Sequence, residues 1–256
     1  MKASTAHRLL RLNREFYTTF AAEFADSRSA LQPGIVRALR QLGTFGSLVD
    51  VGCGDGRVGR ALAAGVVAHT VNRYLGIDFS SQLIEQARAA HAPLPPDSDF
   101  SVIDFSAPGW LERLGEPTNQ SANPSHFDAA VCFSTLHHIP GARRRLRLLR
   151  ELRALLGAGA RCAISVWQFL HISRLQRKIV PWSEIGLRPE DVDENDYLLD
   201  WLRGGRGLRY VHHFDEAELV NLCRRAGFGV LETYRSDGRA SGGELGLYVL
   251  LEAVLY

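Results

Sequence analysis

One stretch, residues 48–62, LVDVGCGDGRVGRAL, constrains the fold more than any other: an apolar run of strand type meets a carboxylate, and glycines follow at 52, 54, 56 and 59. Strand, glycine turn and helix together hold a nucleotide at the carboxyl end of a parallel strand. The substring GDGRVG, residues 54–59, formally matches the G-x-G-x-x-G of dinucleotide folds. Its register is wrong for that ligand, because the strand ends at Val51 and the turn opens at Gly52, which puts Arg57 at the third glycine position. The turn reads D-x-G-x-G-x-G from Asp50 to Gly56. A carboxylate at its start repels a pyrophosphate and attracts an ammonium.

From Ser47 onward short apolar runs (SLVDVG, RYLGID, DFSVIDF, FDAAVCF, ARCAISVW) alternate with amphipathic helical stretches. That order predicts a parallel sheet with helices on both faces, an α/β architecture. Ser80 or Ser81 stands as N-cap of a helix reaching Ala90, and residues 141–156 carry leucines at helical spacing beside arginines. After Trp167 neither apolar period holds for about forty residues. This segment reads as an insertion that ends at RYVHHF. Asp215 and Glu218 then have capping-box spacing and Gly227 suits a helix C-terminus. FGVLETYR and ELGLYVLLEAVL flank SDGRASGG and predict an antiparallel C-terminal hairpin at the sheet edge.

A chain of 256 residues, 46% apolar, suffices for one substantial α/β domain. The net charge of +2 excludes a global positive field, so any basic surface is local. Arg143, Arg144, Arg147 and Arg150 form one such face, read here as a solvated helix side with phosphate contact as the alternative. Cys53, Cys132, Cys162 and Cys223 are far apart and never in a C-x-x-C pair. Neither a metal site nor a disulfide framework is expected, and a reducing cytoplasm fits best. Charges interrupt the amino terminus where a signal peptide needs an apolar core, and no run reaches membrane-span length. The chain is expected to be soluble and cytoplasmic, with no membrane partner.

Further acids follow the later strands. Asp78 closes YLGIDFS, where its carboxylate reaches two ribose hydroxyls with Phe79 beside it; Asp104 and Phe105 close the third strand in SVIDFS, offering an acceptor for an adenine amino group and a ring for the base. The fourth strand brings FDAAVCFSTLHHI. Taken in order, these features resemble the class I S-adenosylmethionine-dependent methyltransferases over residues 42–167. The resemblance implies a Rossmann-like, mostly parallel seven-stranded sheet, with S-adenosylmethionine as cofactor and S-adenosylhomocysteine as product. It implies that Asp50, Gly52, Cys53 and Gly54 hold the methionine part, Asp78 and Phe79 the ribose, Asp104 and Phe105 the adenine, and that Ser134 borders the methyl group. Residues 1–41 are then a helical cap, 42–167 the cofactor-binding core, 168–211 a substrate-covering insertion and 212–256 the C-terminal helix and hairpin, within one domain.

The acceptor is approached by exclusion. No Asn or Asp followed by Pro-Pro-aromatic stands after the fourth strand, against amino methylation of adenine. Cys132 lies within an apolar strand without a preceding proline, against covalent attack on a pyrimidine. The flanks FADSR with Arg28, VPW at residues 180–182, and RYVHHF with Arg209, Tyr210 and His212 resemble the eukaryotic-type tRNA wobble-uridine carboxyl methyltransferases. Ser27 and Val211 replace that family's Thr and second Tyr, and the insertion differs in length and composition. The resemblance implies a tRNA acceptor and, as some members need, a small activating subunit. A carboxylate is nucleophilic without a strong base and needs cations to hold it in line. Arg28 and Arg209 are the expected clamp, Tyr17 and His212 the orienting groups, and His137 faces the transfer region. Methyl transfer to oxygen or nitrogen of a small metabolite stays open as the alternative. So does the choice of inward-facing residue between His212 and His213, and Trp182 and Trp201 are read as anchors of the insertion.

Overall fold

The computed structural model describes residues 1–26, 31–114, 126–237 and 244–254, without the side chains of 24–26. The chain begins with helices α1 (Ala3–Thr19), α2 (Ala21–Asp26) and α3 (Pro33–Gln41). The core then runs β1 (Ser47–Val51), α4 (Arg57–Ala63), β2 (Arg73–Asp78), α5 (Ser81–Ala89), β3 (Asp97–Val102), α6 (Trp110–Leu114), β4 (Phe127–Phe133), α7 (Ala142–Ala154) and β5 (Leu156–Trp167). Next come α8 (Ser173–Gln176), β6 (Ile179–Val180), β7 (Asp196–Trp201) and β8 (Gly207–His212), and finally α9 (Glu216–Arg225), β9 (Phe228–Ser236) and β10 (Gly246–Ala253).

Seven strands form one sheet in the order β3-β2-β1-β4-β5-β10-β9. The first five are parallel, and β10 runs antiparallel to both β5 and β9. Strand alternation divides the core. Leu48, Tyr74, Val131 and Ala163 pack under Leu39, Leu62 and Ile84 of α3, α4 and α5, whereas Val49, Val51, Ile77 and Cys132 pack under Leu149, Leu152, Leu219 and Leu222 of α7 and α9. Burial of both faces is why these strands read as nearly continuous apolar runs. The strand order reverses between β1 and β4, which opens a crevice beyond their carboxyl ends.

Local signals act as their chemistry dictates. Ser80 caps α5 by accepting from the Leu83 amide at 3.3 Å, and Asp215 caps α9 by accepting from Glu218 at 2.7 Å. Glu218 turns its own side chain away to His212, so the reciprocal half of that capping box is replaced by a tertiary contact. Gly227, at φ +96°, follows the end of α9.

Two expectations are corrected. Strand β3 stops at Val102, so Asp104 lies beyond it in a turn where its Oδ1 accepts from the Ser106 amide at 3.0 Å. Residues 168–211 are not patternless: β6, β7 and β8 form a separate antiparallel sheet. It packs on α1, with Phe16 edge-on to Trp201 at 5.5 Å. Arg28 and the turn at 238–243 lie outside the described residues. Among the described residues no helix is long and apolar enough to cross a membrane.

Candidate cofactor and acceptor site

At the carboxyl ends of β1, β2 and β4 lies a cleft of about 1070 Å³. All nine cofactor residues named from the sequence line it. Gly52 has φ +81° and a Cβ there would stand 2.0 Å from Thr135 Oγ1, whereas Gly54 has φ +56° and meets nothing within 4 Å. The turn is therefore packed at its root and open at its tip. The amides of Gly52 and Cys53 donate to the Ile77 carbonyl at 2.8 and 3.0 Å, and that of Gly54 donates to Asp78 Oδ2 at 3.0 Å. A pyrophosphate needs free amides and finds these three engaged, beside two carboxylates.

Both acids are fully buried. Burial pushes the Asp50 carboxyl up to about 7, against the hydrogen bond from Tyr74 (2.8 Å) and with added repulsion from Asp78. Burial likewise pushes Asp78 up to about 6, against the amides of Ser80 and Gly54. Neither acid has a cationic side chain bonded to it among the described residues. Paired buried acids of this kind suit a ligand that brings an ammonium and hydroxyl donors, and S-adenosylmethionine fits that donor set.

The adenine-side acid has acquired a partner that the sequence did not announce: Asp104 forms an ion pair with Arg14 of α1. Phe79 is edge-on to Tyr17 at 5.8 Å and to Phe105 at 6.3 Å, so the three rings form a continuous wall. Cys53 is buried, and desolvation beside Asp50 holds its thiol protonated, which removes it as a nucleophile. Ser134 has φ +52°, with its amide bonded at 3.0 Å to both the carbonyl and the hydroxyl of Ser165. A non-glycine residue held in that region costs about 1–3 kcal/mol, the kind of strain that clusters at ligand clamps.

At the other end of the cleft the sequence expectations divide. Tyr17 lines the wall; His137, Arg209 and His212 do not. The short helical turn Leu136–His138 puts His138, not His137, on the cleft, while His137 is buried and stacks on Trp167 at 5.1 Å. His138 Nδ1 lies 3.1 Å from the Tyr210 carbonyl, which can only accept, so Nδ1 carries the proton and Nε2 accepts from the Tyr17 hydroxyl at 2.7 Å. The Tyr17 hydroxyl is also close enough to the Arg209 guanidinium to favour its charged form. Arg209 is buried behind the wall.

Its surroundings are aromatic: Trp167, Phe16 and Trp201 have ring centroids 4.8, 5.4 and 5.5 Å from its Cζ. Nε and Nη1 are buried without a hydrogen-bond partner among the described residues. Burial lowers its pKa, Tyr17 partly offsets this, and the guanidinium remains charged.

Sequence reasoning missed Asn13, which joins these elements. Its amide nitrogen donates to the carbonyls of His138 and Tyr210, both at 3.1 Å, and its oxygen accepts from the Tyr210 amide at 2.8 Å. A polar residue inside the buried stripe Leu9, Leu10, Phe16, Tyr17 of α1 was the available signal.

His212 has a different setting from the one expected. Its Nδ1 lies 2.7 Å from Asp196, and its Nε2 lies 3.0 Å from both oxygens of Glu218. Tyr210 also donates to Asp196 at 2.6 Å, and the buried Arg145 reaches Glu218 at 3.4 Å. Burial alone lowers the His212 pKa, but the bonds to Asp196 and Glu218 outweigh it and the net shift is upward. A raised folded pKa stabilises fully below the unfolded value of about 6.5 and ceases to do so as pH rises through the folded value. Urea unfolding from pH 6 to 9 is expected to show stability falling with pH, and the fall to vanish in His212→Gln; an unchanged profile in the variant would rule out this imidazolium.

The sheet order, with its antiparallel strand next to the edge, is that of the class I S-adenosylmethionine-dependent methyltransferase fold. Comparison with known proteins agrees: residues 49–162 match the family described as methyltransferase domain. A solved S-adenosylmethionine-dependent methyltransferase of Methanosarcina mazei superposes with a TM-score of 0.62 at 22% identity, over 88% of this chain and 99% of that one. The chain is 26% identical to a putative methyltransferase of Encephalitozoon cuniculi over 87% of its length and 89% of the relative. It is 24% identical to the tRNA (carboxymethyluridine(34)-5-O)-methyltransferase of Schizosaccharomyces pombe, over 85% of this chain and 89% of that protein. A probable tRNA methyltransferase 9B of Bos taurus is 25% identical over 66% of the chain, which spans 33% of that protein's length. The chain is an S-adenosylmethionine-dependent methyltransferase.

Proposed function

We propose that the chain esterifies the carboxylate of a carboxymethyl-type uridine in tRNA. One observation carries this reading: Arg209 is a buried cation with two unpartnered nitrogens, caged by aromatic rings and close to Tyr17 of the cleft wall. A buried charge of this kind is costly unless an anion joins it. The name of the fission-yeast relative supports the same acceptor.

When bound, S-adenosylmethionine supplies a sulfonium methyl whose C–S bond breaks, the electron pair passing to sulfur, as the acceptor oxygen bonds the carbon. Asp50 and the Gly52–Cys53–Gly54 turn take the amino-acid end, Asp78 and Phe79 the ribose, Asp104 and Phe105 the base, and Ser134 borders the reacting end. Arg209 holds the acceptor carboxylate, with Arg28 as a second cation, and His138 fixes the Tyr17 hydroxyl that orients Arg209. No proton needs to move. An anion and a cation become two neutral groups, so the dry walls of Phe16, Trp167 and Trp201 favour the transition state over the separated charges. At this end Asn13, Arg14 and Tyr17 of α1 line the cleft.

Asp50 must be ionised to hold an ammonium, and its carboxyl titrates near 7. Affinity for S-adenosylhomocysteine, followed by calorimetry, is expected to fall up to about tenfold per pH unit below 7; a flat profile from pH 5 to 8 contradicts the assignment of Asp50. The reaction itself is tested with isotopically labelled donor and tRNA bearing carboxymethyluridine. Alkali-labile label on that nucleoside is the expected result. Label that appears only on a small acceptor, or on none, overturns the proposal.

A further inference from the structure

Beside the cofactor cleft lies a second groove, of about 990 Å³, between α1 and α7. His7 and Arg14 line it from α1, and Arg143, Arg144 and Arg147 line it from α7. The sequence reads these arginines as a solvated helix face with phosphate contact as the alternative; in the structure Arg143 is exposed, and the three arginines line the groove across from His7 and Arg14 of α1. We infer that this groove is a binding channel for the phosphodiester backbone of an RNA acceptor, an inference that rests on the tRNA reading above.

The charge balance supports it. Asp104 is the acid of the groove lining, and Arg14 already engages it. Arg147 leans on Glu151 at 3.6 Å and on the Ser106 carbonyl. Arg143 and Arg144 have no carboxylate partner among the described residues. Arg144 Nη2 instead lies 3.4 Å from His7 Nε2, and its pKa is lowered by burial and by the like charge of Arg147. Cations that crowd one another without counter-charge raise the energy of the free protein, and a polyanion in the groove relieves that repulsion.

The position of the arginines adds to this. α7 starts at Ala142 behind a glycine cap, with no side-chain cap and no acid in its first turn, yet Arg143 and Arg144 stand in that turn. Cations are disfavoured at the positive end of a helix, so local helix stability does not account for them. Several cations lining one groove suit successive phosphates better than one small anion. The groove shares Leu10, Arg14, Asp104 and Ser106 with the cofactor cleft, so a strand seated in it leads to the cleft mouth.

The test is fluorescence anisotropy with bulk tRNA between 50 and 200 mM salt, on wild type and on the Arg143→Ser/Arg144→Ser double variant. Removing two cations from the positive end of α7 does not threaten the helix. S-adenosylhomocysteine calorimetry is expected to be unchanged and shows that the variant is folded. The variant is expected to bind tRNA more weakly, with a plot of log K against log salt shallower by about 1.4–1.8, the contribution of two phosphates. Equal affinity and slope in the two proteins overturns the groove, as does absence of tRNA binding by wild type at 50 mM salt. Loss of inorganic phosphate binding without loss of tRNA binding overturns it as well. The carboxyl reading fails separately: wild type that binds tRNA through these arginines and esterifies no carboxymethyluridine sinks that reading and leaves the groove standing.

Discussion

Asp78→Ala is expected to lower affinity for S-adenosylhomocysteine by about 100-fold or more, the loss of two charge-assisted hydrogen bonds of at least about 1.5 kcal/mol each. Two effects act together. The ribose loses its bidentate acceptor, and the glycine turn loses its anchor, because Asp78 accepts from the amide of Gly54 at 3.0 Å and from that of Ser80 at 2.9 Å. Both amides would then lack a partner, at about 1–3 kcal/mol apiece, so urea unfolding is expected to show a matching drop in stability. Asp104→Ala provides the contrast. Its side chain is 31% exposed and already paired with Arg14, so the expected loss is about tenfold, the order of one partly solvated contact. Calorimetry on the two variants settles the ranking. If Asp78→Ala binds as tightly as wild type while remaining folded, the ribose assignment is wrong.

The parts of the site visible in the sequence are those where chemistry and backbone make the same demand. Gly52 has to be glycine because both its φ and the adjacent Thr135 forbid a side chain, and Asp50 and Asp78 stand at or next to the carboxyl ends of mainly apolar strands. The acceptor end follows a different logic. In β7 and β8 the buried positions include Asp196, Arg209 and His212, so polar residues stand where a strand pattern calls for apolar ones. Asp196 and His212 satisfy one another across the two strands, and Arg209 sits among rings from other elements, which no linear period records. The same holds for His137 and His138: a tight turn decides which ring meets the cleft and which meets Trp167. Asn13 was legible only as a break in an apolar stripe, since its partners are 125 and 197 residues away.

Arg209→Leu separates catalysis from folding. In the free protein the guanidinium sits among three rings with two nitrogens unpartnered, and leucine fills such a cage without a desolvation cost. Replacing a buried charge by an apolar side chain is often neutral or stabilising by about 1–4 kcal/mol, so the variant is expected to unfold at equal or higher urea concentration. Methyl transfer is expected to move the other way. A carboxylate brought into a dry pocket without its cation loses about 3–5 kcal/mol, which is roughly 10²- to 10³-fold or more in kcat/KM. Arg209→Lys retains the charge but not the planar fork, so it is expected to recover only part of the rate. Affinity for S-adenosylhomocysteine is expected to be unaltered in both variants, because Arg209 is not on the wall of the cofactor cleft. An Arg209→Leu enzyme that is less stable and fully active would make the arginine a structural post. One that is at least as stable and nearly inactive places the acceptor carboxylate against its guanidinium.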